Sequence, residues 1–88
     1  MNKIEEILTI TQEECSEVIQ VVSKGRRFGF DIEYNGVTNR QKLTQEVGDV
    51  LVMIDLMVAN NILSLDSLEV AKQHKIEKLK QWSSIFKV

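Results

Sequence analysis

The sequence is poor in the residues that mark a specialised chain. It has one cysteine, no proline, four glycines among 88 residues, and aromatics at only 6%. A lone Cys15 forms no internal disulfide, so no disulfide framework holds the chain and a reducing cytoplasm is the expected compartment. No apolar run approaches the ~20 residues of a membrane span, so no membrane role is expected. Met1 to Ile10 carries acids and no cleavage motif, so no signal peptide is expected. Neither sign of charge dominates: 11 Lys+Arg face 13 Asp+Glu, net -2. That argues against nucleic acid, which selects a basic face. At 43% hydrophobic the chain is too apolar for disorder, and its length leaves no room for a second core. One small soluble domain is the expectation.

A chain this short buries only roughly 60–65% of its unfolded surface. Without disulfides, its stability must come from regular packing or from oligomerisation. Three helical segments are predicted. The first runs from Lys3 to Val22 or Lys24, with Asn2 and Glu5 at capping-box spacing and Ile4, Ile7, Leu8, Cys15, Val18 and Val22 on one stripe. The second runs from Asn39 to Asn60, opened by Thr38 and Gln41, with Leu43, Val47, Val50, Leu51, Ile54 and Val58 as its stripe. The third runs from Ser67 to Ile85, opened by Asp66 and Glu69, with Leu68, Ile76, Leu79 and Phe86. Gly25 to Val37 is long for a loop and reads as a short extra helix or a functional loop. From Val50 to Ala59 the second helix is apolar nearly all round, broken only by Asp55. Such a helix is buried on all sides, which a monomer of this size cannot arrange. The fold class expected is all-α: an antiparallel bundle of three main helices, with or without a short fourth in 25–38, completed by oligomerisation.

Two acid pairs stand out. Glu14 and Glu17 are three apart on the first helix, and Glu46 and Asp49 three apart on the second, so each pair shares a helix face. With Glu14 at zero and ~100° per residue, Val21 falls at about -20°, Ile7 at about 20° and Glu17 about 60° to the edge. With Glu46 at zero, Met53 falls at about -20°, Met57 at about 20° and Asp49 again about 60° to the edge. Packing the stripes together therefore brings four carboxylates to one edge of the core. Carboxylates gathered there are pushed towards protonation or must bind metal. An all-oxygen set suits Mg²⁺ or Mn²⁺. With His74 the only histidine and Cys15 the only thiol, a structural zinc site is not expected. The Glu-x-x-His pairs of a di-iron bundle are absent. On the third helix Lys72 and Lys75 fall within the apolar stripe. Either they snorkel to water, or they reach the acids and bind phosphate beside the metal. Acids, metal and lysines together suit phosphoryl chemistry.

Glu13-Glu14-Cys15-Ser16-Glu17 resembles the EExxE motif of the MazG-like, all-α nucleoside triphosphate pyrophosphohydrolases. Glu46-Val47-Gly48-Asp49 resembles their ExxD motif, followed by the usual apolar run at Val50-Leu51. Ala71 to Trp82 resembles their lysine-rich third helix. The likeness spans Ile4 to about Ser83, and the compact size and lysine-rich tail are similar to small versions carried by bacteriophages. The resemblance implies Mg²⁺ ions bound by Glu14, Glu17, Glu46 and Asp49. It further implies hydrolysis of a nucleoside triphosphate between the α- and β-phosphates, and assembly as homodimers or homotetramers. One of the cluster carboxylates would activate water. Glu13 matches the first acid of EExxE but lies beyond Glu17, as an outer group or a surface acid. The asparagine that relatives often carry four residues after the third-helix lysine is Ile76 after Lys72 and Leu79 after Lys75; Lys75 is the preferred phosphate ligand.

Base recognition needs a flat apolar partner and directed hydrogen bonds. Phe28, Phe30, Tyr34 and Trp82 are the rings available, for that role or for core and interface. Arg26 and Arg27 are phosphate grips or solvated loop charges, and Gln12 is a candidate for a base edge. Gly48 lies inside a helix at a propensity cost, which close helix packing beside the metal site would explain. The competing function is a non-catalytic helical dimer acting as a partner-binding or regulatory module. That reading gives four acids beside the packing stripes no purpose.

Overall fold

The computed structural model describes residues 1–88, ordered as α1 (Lys3–Phe28), β1 (Glu33–Tyr34), β2 (Val37–Thr38), α2 (Asn39–Ala59) and α3 (Leu65–Trp82). The chain is all-α apart from one two-stranded hairpin. Two of the three anticipated capping boxes form. Asn2 accepts from the Glu5 amide at 2.8 Å, while the Glu5 carboxylate accepts from the Asn2 amide. Thr38 and Gln41 repeat the exchange at the start of α2. Each cap satisfies amides that an isolated helix start leaves open, typically worth ~1 kcal/mol.

α1 and α2 run antiparallel. Ile7 near the start of α1 packs on Met53 and Met57 near the end of α2, with Ile10, Ile54 and Ile62 around them. At the other end the Asn39 amide donates to the Gly29 carbonyl at 3.0 Å. α3 is not paired along its length with either helix and contributes no buried residue.

The segment expected as a short fourth helix or a functional loop forms no separate helix: its first residues extend α1 and the rest is an ordered hairpin. α1 continues past Lys24 to Phe28, and the chain then forms a hairpin pairing Glu33 with Thr38 and Tyr34 with Val37. Its turn is Asn35-Gly36, with φ of 54° and 81°. Two successive positive φ angles are what a type I′ hairpin turn demands. The Phe30 ring lies on Gly25, where any Cβ would collide with it. The Phe30 carbonyl accepts from the Arg40 amide at 2.9 Å. Arg40 also grips Asp31 with two hydrogen bonds, 2.7 and 3.0 Å.

The third helix begins earlier than expected. Ser64, not Asp66, caps it, accepting from the Ser67 amide at 3.3 Å. Asp66 instead sits in the first turn, where its charge meets the positive end of the helix dipole.

Only six residues of 88 are buried. The radius of gyration is 16.0 Å, against ~12 Å for a compact domain of this length. The thinnest dimension is 14 Å, little more than one helix diameter of ~10–12 Å. One chain is thus a flat layer of helices with most of its apolar residues uncovered.

Candidate metal centre

Packing α1 on α2 brings Glu14, Glu17, Glu46 and Asp49 together. One carboxylate oxygen from each lies within 4.8 Å of all the others. Glu14 and Glu46 sit inward and half-buried, and Glu17 and Asp49 are exposed at the edge, the arrangement their angular offsets predict. One oxygen of Glu14 and one of Glu46 are buried without any hydrogen-bond partner. None of the four carboxylates has a cationic partner; the ion pairs of the chain are Arg40–Asp31, Lys72–Glu69 and Lys80–Glu77.

Uncompensated acids so close together resist ionisation. Burial, then the charges of Glu17 and Asp49, raise the Glu14 carboxyl above its usual range. Glu46 is pushed to about 7, first by a hydrogen-bonding contact with Glu17 that needs a shared proton, then by burial and the neighbouring charges. A cation removes both problems, since it satisfies orphaned oxygens and cancels repulsion. The dimensions fit. Six-coordinate Mg²⁺ holds oxygens at about 2.1 Å, so opposite ligands stand about 4.2 Å apart, and the larger Ca²⁺ spreads them further. The donors are all hard oxygens, which exclude a soft-metal site.

The other residues singled out from sequence do not join this cluster within the chain. Gln12 is exposed and lies about 160° around α1 from Glu14. Arg27 stacks on its neighbour Phe28 at 4.9 Å and lines a shallow surface with Ile19, Val22, Ser23 and Arg26. Lys72 is exposed and paired with Glu69 at 3.3 Å, and Lys75 is exposed without an ion pair. Both sit on α3, which stands away from the α1–α2 pair. Glu13 is exposed and its carbonyl accepts from Ser16 at 2.7 Å. Gly48 lacks the close helix packing expected for it: a Cβ there would meet nothing within 4 Å.

Two cations were overlooked in the sequence. Lys24 and Lys42 line a cavity of about 310 Å³ with Phe28, Tyr34, Val37 and Asn39. Their spacing was the available signal. Lys42 stands four residues before Glu46, and Lys24 seven after Glu17, both helical repeats that keep a residue on one face.

The sequence profile of the MazG nucleotide pyrophosphohydrolase domain matches residues 2–82, nearly the whole chain. The chain belongs to the MazG family. Membership supports nucleotide pyrophosphohydrolase activity in general, a metal-dependent hydrolase chemistry, and the acid cluster is the group of residues in this MazG chain that could hold the metal. No curated protein and no solved structure gives a significant match. No helix of the MazG chain is long and apolar enough to cross a membrane.

Proposed function

We propose that this MazG domain hydrolyses nucleoside or deoxynucleoside triphosphates to the monophosphate and pyrophosphate, using Mg²⁺ held by Glu14, Glu17, Glu46 and Asp49. The observation that carries the reading is the cluster itself: four carboxylates within 4.8 Å, two of them with buried, unpartnered oxygens. Such a group costs the fold stability unless a bound cation compensates it. Mn²⁺, with similar ligand preferences, substitutes.

When bound, the cation supplies Lewis-acid polarisation of phosphate oxygens and of water. The protein's own contribution is geometric and electrostatic. Glu14 and Glu46 fix the inner wall of the site, because burial on the α1–α2 seam restrains them. Glu17 and Asp49 form its open edge, where the triphosphate enters. A cluster carboxylate takes the proton of the attacking water. The water oxygen bonds to the α-phosphorus as the bond from that phosphorus to the bridging oxygen of the β-phosphate breaks. Pyrophosphate leaves with the electron pair.

The assembly is part of the same proposal. The chain exposes 7025 Å², against ~5,300 Å² for a compact monomer of its mass. The excess of ~1,700 Å² per chain is ample for a specific interface. Leu51 and Val52, each 55% exposed on α2, and Trp82 at 78% on α3 are apolar groups that a homodimer or homotetramer covers. Assembly also gives Lys72 and Lys75 a route to an acid cluster, with Lys75 favoured because Lys72 already pairs with Glu69. The expected compartment is the cytoplasm.

The test pairs binding with turnover. Glu14→Gln and Asp49→Asn should each lose Mn²⁺ binding, followed by electron paramagnetic resonance, and lose triphosphate turnover while keeping the helical circular dichroism spectrum. Full turnover in either variant would show the ligand assignment to be wrong. No Mn²⁺ binding and no turnover by the folded wild-type chain would favour the non-catalytic helical dimer.

A further inference from the structure

The two edges of the α1–α2 pair are chemically different. On α1, taking Glu14 as zero at ~100° per residue, Glu17, Lys24 and Phe28 fall at about -60°, -80° and -40°. On α2, taking Glu46 as zero, Asp49 and Lys42 fall at about -60° and -40°. The exposed acids therefore share an edge with Lys24, Lys42 and Phe28. The opposite edge carries an apolar groove of Cys15, Val18, Ile19, Val47 and Val50. Towards the hairpin this edge carries Lys24 and Lys42, the cations that an anionic ligand held at the acids meets there.

Along that direction the side chains change in order. From Glu46 the next group is Lys42, about 6 Å along the helix; from Glu17 it is Lys24, about 10 Å away. Beyond them stand Phe28 and Tyr34, with Val37 and the buried Asn39 completing the cavity. Lys24 and Lys42 are in no ion pair. Asn39 spends its amide N–H on the Gly29 carbonyl at 3.0 Å, which leaves its carbonyl oxygen for a ligand donor. Phe28 and Tyr34 are 48% and 58% exposed, so they are not core residues. A nucleotide has the same gradient: polyphosphate, then sugar, then a flat ring with polar edges. The cavity volume suits a base with part of its sugar and is more apolar than a phosphate tail needs.

We propose that the cavity between the end of α1, the hairpin and the start of α2 is the nucleobase subsite. The base lies against Phe28 and Tyr34, donates an N–H to the Asn39 oxygen, and has Lys24 and Lys42 at the sugar and α-phosphate end. This rests on the triphosphate-hydrolase reading above. It moves base recognition away from Gln12, which faces elsewhere, and the phosphate grip from Arg27 to Lys24 and Lys42.

The test uses three kinds of probe on the full chain: the four common nucleoside monophosphates, ribose 5-phosphate and inorganic pyrophosphate. In metal-free protein, amide and aromatic chemical shifts are followed during titration. The monophosphates should perturb Phe28, Tyr34 and Asn39, and ribose 5-phosphate should not. Shifts confined to the Arg26–Arg27 surface or to α3, or no shifts with any monophosphate, overturn the assignment. This readout is independent of turnover, so it stands apart from failure of the catalytic reading, which pyrophosphate release by the same wild-type protein after addition of Mg²⁺ reports. Where turnover is present, Tyr34→Ala and Phe28→Ala should raise KM by about tenfold or more, the scale of a lost base–ring stack. kcat should stay within a factor of about three, and Tyr34→Phe should restore KM. Inhibition by inorganic pyrophosphate should be unchanged. Weaker pyrophosphate inhibition with no change for the monophosphates would make the cavity a phosphate site and contradict the proposal.

Discussion

Gly25 is the point at which the helix pair, the hairpin and the cavity are pinned together, and Gly25→Ala tests that joint. Two effects oppose each other. In a helix interior alanine is favoured over glycine by roughly 1 kcal/mol. Against this, a Cβ at Gly25 would press into the Phe30 ring, with three ring carbons inside contact distance and Cδ1 at 2.6 Å. Ring atoms do not come closer than ~3.5 Å to carbon without repulsion, so the ring must move by about an ångström or more. It is not free to do so. Its backbone carbonyl is tied to the Arg40 amide and the adjacent Asp31 to the Arg40 guanidinium. Overpacking of this kind costs about 1–3 kcal/mol, more if the ring is expelled. With the ring held, the steric effect wins, leaving a net loss of up to about 2 kcal/mol and a Tm lower by up to roughly 15 °C for a domain of this size. The assay is thermal unfolding by circular dichroism at fixed protein concentration, since an assembly makes Tm concentration-dependent. A Tm equal to or above wild type would mean that helix propensity prevails and that the Phe30 ring does not rest on Gly25.

Metal-free protein should lose stability as pH rises from about 4.5 to about 7. The folded state raises Glu46 to about 7 and Glu14 above its usual range, so the stability they lend is complete below the unfolded value and lost through the folded one. Asp31, held low by Arg40, has the opposite dependence, but only below its ordinary value of 3.8. Saturating Mg²⁺ should reverse the slope, because the ligands bind it ionised; a metal-free Tm that climbs across this interval contradicts the cluster's electrostatics. Gly48→Ala probes the assembly. Within the chain a Cβ there touches nothing within 4 Å, so an isolated chain should gain roughly 0.8–1 kcal/mol from propensity. If a second copy packs on that side of α2, beside Leu51 and Val52, sedimentation should show weaker self-association. A variant that is more stable and equally associated would place the interface elsewhere.

The parts of this fold that were legible in the sequence are those governed by local rules. Asn2 with Glu5 and Thr38 with Gln41 mark helix starts because a short polar side chain and an amide or acid three residues on satisfy each other's orphan groups. The meeting of Glu14, Glu17, Glu46 and Asp49 follows from helical angle alone, since the same offsets from two apolar stripes converge when the stripes pack. The hairpin had a local signal as well, the Asn35-Gly36 pair flanked by Tyr34 and Val37, but the glycines and aromatics around it read equally as a loop. The extension of α1 through Gly25 was hidden because a glycine in sequence reads as a helix end, and the Phe30 ring that fills the space above it is a contact made only in three dimensions. Ser64 and Asp66 are both acceptable caps, and local pattern does not rank them. The position of α3, and so the reach of Lys72 and Lys75, depends on what covers the exposed apolar faces.

The central claim is attack of water at the α-phosphorus of a triphosphate under the control of the four-acid cluster. Product analysis in ¹⁸O-labelled water tests it most directly. Wild-type protein with Mg²⁺ should convert a nucleoside triphosphate to monophosphate and pyrophosphate, with the label in the monophosphate. Release of orthophosphate with a nucleoside diphosphate, or label in the pyrophosphate, would contradict the account.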